Sequence, residues 1–303
     1  MHNVNENNHT GNRRGLVISY FGNSVAVEAE GAVYQCHLRR NQELPVVGDE
    51  VIWREEGQES YIVVSILPRR SLLTRGDSRK KAKPIAANLD ALVIVMAPPP
   101  IFSAYLVDRY VAAAELLSIQ PIIVLNKTDL MNEAAQKAAD ALLDSYRAVP
   151  YPVVLSSIYR PLSLNDLTAV LAQKTAVLVG PSGVGKSSII ASLSEEAIRV
   201  GTVSEKGAGK HTTTATRLYH LPGGGRLIDS PGVREFTLWT VTKEEALKSF
   251  KEFTPYTSAC KFRDCQHLAE PDCAVKKAVQ LGKISAKRYE SYQLLMKEAE
   301  KKR

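Results

Sequence analysis

Eight residues constrain this chain more than anything else in it. Gly180, Pro181, Ser182, Gly183, Val184, Gly185, Lys186 and Ser187 fit the pattern GxxxxGK[ST], with Ser188 directly behind. They fall between an apolar stretch at 176–179 and a helical pattern that starts near 185. A strand, a glycine-rich turn and a helix in that order make a cradle for phosphate. Glycines let successive backbone N–H groups wrap an anion, and the helix N-terminus adds positive potential. Lys186 has the reach to meet β- and γ-phosphates, and the Ser187 hydroxyl is the Mg²⁺ ligand such loops supply. A glycine turn that binds nothing accounts poorly for all these features together.

The surrounding pattern predicts a multidomain α/β chain. Continuous apolar strands at 89–97, 121–125, 153–155 and 176–179 are interleaved with helical patterns at 103–117 and 133–147. That alternation implies a mostly parallel sheet covered on both faces. Segments 217–221 and 226–229, joined by a Pro-Gly-Gly-Gly turn, read as a hairpin at the sheet's edge. Upstream, five short strands at 16–20, 25–29, 33–38, 50–53 and 61–67 suit a small closed barrel. An OB-like barrel is the five-stranded candidate, and an SH3-like barrel fits the strand count too. The basic run Arg75, Arg79, Lys80, Lys81 and Lys83 reads as a linker between barrel and sheet. After 239 the chain turns helical and polar. Thr242 with Glu245 forms a capping box, and Ser285 starts a last helix. The expected divisions are a disordered Asn-rich tail at 1–12, the barrel at 13–72, the α/β domain at 73–237 and a helical domain at 238–303.

A second motif selects the base. Asn126, Lys127, Thr128 and Asp129 directly follow the apolar strand 121–125, giving NKxD at a strand's C-terminal end. A carboxylate at Asp129 can accept two hydrogen bonds from the ring N–H and amino group of guanine. Adenine lacks that donor pair and leaves a desolvated carboxylate unpaired, a penalty of about 2–5 kcal/mol. Lys127 can lie along the purine and Asn126 can brace the loop. Ser156 and Ser157, after the strand 153–155, stand where a loop can offer backbone to the guanine oxygen.

The third motif is DxxG, here Asp229, Ser230, Pro231 and Gly232. Asp229 would hold Mg²⁺ through water, and the Gly232 N–H would meet the γ-phosphate. Between phosphate loop and DxxG lies the polar stretch GKHTTT, with His211, Thr212, Thr213 and Thr214. A switch loop there should offer a threonine to Mg²⁺, and spacing favours Thr214 among the three. Many GTPases follow DxxG with a water-orienting glutamine. Here the position is Val233, so slow intrinsic turnover is expected. His211 is the candidate for positioning water, against its reading as an ordinary solvated loop residue.

Near the C-terminus, Cys260, Cys265, His267 and Cys273 offer three thiolates and an imidazole within 14 residues. That is the ligand set of a closed structural zinc site, although the spacing is not the familiar CxxC and a grouping of buried thiols is the alternative. Cys36, in a barrel strand, reads as a small core residue. The net charge of +7 is uneven along the chain. Residues 13–83 hold 12 Lys/Arg against 9 Asp/Glu, 84–241 hold 13 of each, and 242–303 hold 14 against 9. Basic flanks suit a phosphate backbone, and an excess this small also serves solubility alone. Arg13, Arg14, Arg39, Arg40, Arg69 and Arg70 are the barrel's basic candidates, with Tyr20, Phe21 and Tyr34 as possible stacking rings. No apolar run reaches the roughly 20 residues needed to span a bilayer, and four cysteines do not form a secreted disulfide framework. A reducing cytoplasm, and no membrane, is the expectation.

The order of these motifs is rotated. NKTD at 126–129 precedes the phosphate loop at 180–187, and DSPG at 229–232 follows. In an ordinary GTPase the phosphate loop comes first. A rotated chain can still close the same site, because termini near in space can be joined and the chain reopened elsewhere. Permuted motifs, a preceding barrel, GKHTTT, DSPGVREF and a following Cys/His cluster together closely resemble the RsgA (YjeQ) family, over nearly the whole chain beyond the tail. The resemblance implies an OB-fold, a permuted G domain and a C-terminal zinc domain with its ligands on Cys260, Cys265, His267 and Cys273. It also implies GTP hydrolysis to GDP and phosphate, stimulated by the small ribosomal subunit, a role in that subunit's late maturation, contact with its rRNA, and a monomeric protein. Two rival readings are a nucleotide-gated RNA-binding module with incidental hydrolysis and a small-molecule kinase using the same loop, the latter opposed by Asn126–Asp129.

Overall fold

The computed structural model describes residues 11–40, 42–57, 60–76, 82–98, 103–194, 216–230 and 241–300. Strands β1 (Arg13–Tyr20), β2 (Ser24–Ala29), β3 (Ala32–His37), β4 (Glu50–Glu55) and β5 (Tyr61–Ile66) close on themselves. β1 pairs antiparallel with both β2 and β4, β4 with β5, and β3 runs parallel to β5. This ring, in the order 1-2-3-5-4, is the OB-type barrel rather than the SH3-like alternative. Alternation sets its interior: Val17, Val25, Val27, Cys36, Val51, Trp53 and Val63 are fully or almost fully buried. Burial pushes the Cys36 thiol up to about 11, as befits a core residue. Of the candidate stacking rings, Tyr34 packs 4.3 Å from Trp53, centroid to centroid, and Tyr20 is part of the core packing. Phe21, in the β1–β2 turn, stays half exposed.

The basic linker is not a linker. β6 (Leu72–Gly76) and β7 (Ala82–Ala87) pair antiparallel with Arg75 opposite Lys83, while Arg79, Lys80 and Lys81 lie outside the described residues. The hairpin's apolar positions explain the departure, because Leu73 and Ala86 are completely buried and anchor both strands. Gly48 fixes the barrel against this hairpin. A Cβ there would lie 2.2 Å from the Ala87 carbonyl, and the backbone has φ of +93°. Asn88 Nδ2 donates to the Gly48 carbonyl at 2.9 Å across the same junction.

The central sheet runs β10 (Val153–Leu155), β9 (Gln120–Leu125), β8 (Ala91–Met96), β11 (Thr175–Val179) and β13 (Arg226–Asp229), all parallel. Every residue of β8 and β11 is buried, the pattern of strands covered on both faces. Helices α1 (Ala104–Leu116) and α2 (Glu133–Arg147) cover one face, α3 (Leu162–Leu171) and α4 (Lys186–Leu193) the other. Ser103 caps α1 by accepting from the Leu106 N–H. The hairpin of β12 (Arg217–His220) and β13 is not a free edge. β12 pairs with β1 of the barrel at Ser19 and Arg217, so one eleven-stranded sheet runs through both.

Beyond 241 lie α5 (Lys243–Lys248), short helical turns at Lys251–Phe253 and Thr254–Thr257, α6 (Ala274–Gln280) and α7 (Ala286–Glu300). The capping box of Thr242 and Glu245 is formed in both directions. The core here is aromatic, with Phe250, Phe253 and Tyr292 buried together, and Ala112 of α1 belongs to it. Among the described residues no helix is long and apolar enough to cross a membrane.

Candidate nucleotide site and metal centre

The phosphate loop leaves β11 and enters α4 through three glycines of positive φ, Gly180, Gly183 and Gly185. Two of them are required by close approach as well. A Cβ on Gly180 would sit 2.1 Å from the Val95 carbonyl, and one on Gly185 would sit 2.4 Å from Asn126 Nδ2. Lys186 is 6% exposed, and its Nζ donates to the Gly180 and Pro181 carbonyls, each at 2.7 Å. Ser187 and Ser188 stand exposed in the first turn of α4. Lys127, Ser182, Gly183, Gly185, Lys186, Ser187 and Ser188 line a cleft of about 310 Å³ at this point.

The base-reading loop meets the phosphate loop there. Asn126 is 2% exposed, its Nδ2 donates to the Val184 carbonyl at 2.9 Å, and its Oδ1 accepts from Ser156 Oγ at 3.1 Å. Its backbone N–H donates to the Met96 carbonyl, continuing the sheet into the loop. Lys127 adopts the left-handed conformation, with φ of 60°, and its Nζ donates to the Gly183 carbonyl at 2.6 Å. Thr128 donates through both N–H and Oγ1 to the Ser156 carbonyl. Asp129 Oδ1 accepts from the Ser157 hydroxyl, and Ser157 Oγ in turn accepts from the Tyr159 N–H at 3.1 Å. The two segments 126–129 and 156–157 are therefore one unit, bolted to the phosphate loop by Asn126 and Lys127. Ser163 Oγ also accepts from the Ser157 N–H at 2.9 Å. Sequence reading passed over Ser163, because nothing marks a serine on the following helix as a support for the loop before it.

Asp229 ends β13 one residue beyond Ile228, which is in register with Val177 of β11, so it lies level with the strand that feeds the phosphate loop. The neighbouring Ser230 is buried and accepts from Thr216 Oγ1 at 3.0 Å. His211, Thr212, Thr213, Thr214 and Gly232 lie outside the described residues.

Cys260, Cys265, His267 and Cys273 converge, with ligand atoms all within 4.8 Å of one another. Cys273 Sγ stands 3.4 Å and Cys260 Sγ 3.6 Å from His267 Nδ1, and the two sulfurs are 3.9 Å apart. A tetrahedron with metal–sulfur bonds of about 2.3 Å and metal–nitrogen bonds of about 2.0–2.1 Å has edges of about 3.5–3.8 Å, so Cys260, His267 and Cys273 stand close to three corners of one ion's shell, with Cys265 within 4.8 Å of them. Burial pushes the Cys265 thiol up to about 12 and holds His267 below its usual value. The pocket thus favours neutral imidazole, the ligating form, and a cation would be what holds Cys265 as a thiolate. Surrounding groups orient the ligands. Tyr289 and Tyr292 donate to the His267 and Gln266 carbonyls, and Glu270 accepts from the Gln266 and Leu268 N–H groups.

A model of the RsgA GTPase family matches residues 66–239, more than half of the chain. The small ribosomal subunit biogenesis GTPase RsgA of Azotobacter vinelandii is 47% identical over 291 residues, which span 94% of this chain and 85% of that protein. The chain belongs to the RsgA GTPase family. The RsgA relative of Pectobacterium carotovorum subsp. carotovorum is 44% identical over 294 residues, 94% of this chain and 84% of its own. Among solved structures, YjeQ from Thermotoga maritima is similar with a TM-score of 0.80 at 31% identity, covering 96% of this chain and 100% of that one. YloQ, described as a circularly permuted GTPase, gives a TM-score of 0.78 at 30% identity over 99% of each chain. The rotated motif order of this chain is thus matched by a whole-chain likeness to YloQ, a circularly permuted GTPase.

Proposed function

We propose that the chain hydrolyses GTP to GDP and phosphate, is stimulated by the small ribosomal subunit, and acts late in that subunit's maturation as a GTP-dependent checkpoint. The observation that carries the nucleotide assignment is the Asn126–Val184 hydrogen bond. It joins a guanine-reading loop directly to a phosphate loop, although 58 residues separate them in the chain. Asp129, aimed by Ser157, reads the base. Lys127 flanks it, and Ser156 with Ser157 closes the loop behind. Gly180 to Gly185 wrap the phosphates, and Lys186 exchanges its carbonyl partners for phosphate oxygens. Ser187, Asp229 and Thr214 are the residues to hold Mg²⁺, which would neutralise charge developing on the phosphates. The Gly232 N–H meets the γ-phosphate, and His211 positions the attacking water once the subunit orders its loop. The Cys260, Cys265, His267 and Cys273 cluster holds one structural zinc. The barrel and the C-terminal domain contact rRNA, in a monomer of the cytoplasm. The parts divide near the limits 13–72, 73–237 and 238–303.

The family membership and the names of the relatives support the subunit as partner. The test is phosphate release from GTP and from ATP, each with and without purified small ribosomal subunits. Slow GTP turnover that rises strongly with subunits, and none with ATP, is expected. GTP turnover indifferent to subunits would remove the ribosomal reading and leave the GTPase. Equal use of ATP would remove the guanine assignment.

A further inference from the structure

We propose that the four residues between Cys260 and Cys265 form a stacking tip that takes an unpaired RNA base onto Phe262, with Lys261 and Arg263 on the flanking phosphates. Phe262 is 41% exposed, whereas Phe250 and Phe253 of the same domain are each 1% exposed. The domain therefore has an aromatic core and leaves this one phenylalanine outside it. Lys261 Nζ lies 5.9 Å from the Phe262 ring centroid, and Lys261, Arg263 and Asp264 are all exposed. An exposed ring flanked in the chain by two cations offers a base its π-surface and the adjoining phosphates their counter-charge, the pairing that single-stranded nucleic acid sites use. A protein partner would call for a wider apolar patch, and here the residues on either side of Phe262 in the chain, Lys261 and Arg263, are charged.

The tip is held from both ends. Cys260 and Cys265 belong to the donor cluster, and the Cys265 N–H donates to the Phe262 carbonyl at 3.4 Å, closing a turn. With Cys260 and Cys265 both in the donor cluster, the four residues between them present Phe262 at the surface. The acidic neighbours do not cancel the cations. Lys261 pairs with Asp272 at 3.1 Å, but both side chains are more than half exposed and such a pair is held weakly. This inference rests on the RNA-partner reading above and gives it a contact residue. Its test uses neither intact subunits nor nucleotide, so the two can fail separately.

The experiment uses the full-length, metal-loaded protein and a fluorescein-labelled single-stranded RNA of mixed sequence, with the same RNA as a duplex for comparison. Phe262→Ala should weaken single-strand binding about tenfold, while Phe262→Tyr stays within about twofold. Lys261→Ala and Arg263→Ala should each lower the slope of log affinity against log salt by about one. Because the barrel can also hold RNA, a local readout is added. In Phe262→Trp the new indole's emission should be quenched by the single strand and not by the duplex. Unchanged metal content in each variant shows that the domain is intact. Wild-type affinity in Phe262→Ala with no quenching in Phe262→Trp would overturn the proposal. Quenching by RNA-free subunit proteins with none by RNA would overturn it in favour of a protein contact.

Discussion

The sheet domain and the C-terminal domain both hold clustered polar groups, and they hold them by different means. β8 presents six consecutive buried side chains, and cores lie on both faces of the sheet. Each fully buried Val, Leu or Ile contributes about 1.5–3 kcal/mol, so the loops at the strand ends hang from a frame that needs no help from them. The C-terminal domain has only short helices before α7 and one aromatic cluster, and its polar groups are structural members. Four metal-type donors close one end. At the other end Arg288, 1% exposed, donates to Asp108 of α1 at 2.6 Å and to Glu252 at 2.8 Å. Burial works against that guanidinium's charge, yet Asp108 and Glu252 keep its pKa above the ordinary arginine value. Losing a polar group should therefore cost activity in the first region and folding in the second.

The largest effect expected from this contrast comes from metal removal. Structural zinc contributes about 10–16 kcal/mol of apparent binding free energy that the folded ligands alone can collect. A strong chelator should unfold residues beyond 241, read as lost amide protection there, while GDP affinity stays within a few-fold. Loss of GDP binding in step with the metal would show that the two regions form one cooperative unit. Next is Arg288→Met, which takes the cation away from buried Asp108 and from the partly buried Glu252. A loss of about 3–5 kcal/mol is expected in urea unfolding, with little change in GTP affinity of the folded fraction. In the sheet domain the sign of the contrast reverses. Asp129→Ala should leave the unfolding midpoint almost in place and weaken GDP binding by about 3 kcal/mol, roughly 150-fold, measured by calorimetric titration.

How much of this could be read from the chain follows the same divide. The phosphate loop and NKTD were legible because each is a contiguous run at the end of an apolar strand, and the β8, β9 and β11 runs have no polar interruption. The barrel was legible from alternation and turns. The α3 helix was missed although Leu164, Leu167 and Leu171 bury one face, because the three-residue β10 before it gives little frame. The β6–β7 pairing was hidden because Arg75 and Lys83, which face each other across it, belong to a run that reads as merely basic. Arg288 was invisible in a helix dense with charge, since its partner Asp108 lies 180 residues away and only tertiary packing brings them together. The pairing of β12 with β1 is likewise a contact between distant segments that no local pattern announces. The four metal donors were legible as a set, and their convergence needed the fold.

The smallest of these effects is the most informative about the site. Asn126→Ala removes the amide that ties the base-reading loop to the phosphate loop, leaving the Val184 carbonyl and the Ser156 hydroxyl without that partner. Unpaired buried groups of this kind cost about 1–3 kcal/mol. Because the strands above and below are fully buried, most of that cost should appear in binding rather than in folding. GDP affinity should fall about tenfold, and the urea midpoint should barely move. Lys127 still reaches the Gly183 carbonyl, so the two loops stay in contact and the loss remains partial. If stability fell instead and affinity held, Asn126 would be a support of the sheet domain's fold. The contrast between a site that hangs from its frame and one that is part of it would then not apply to this loop.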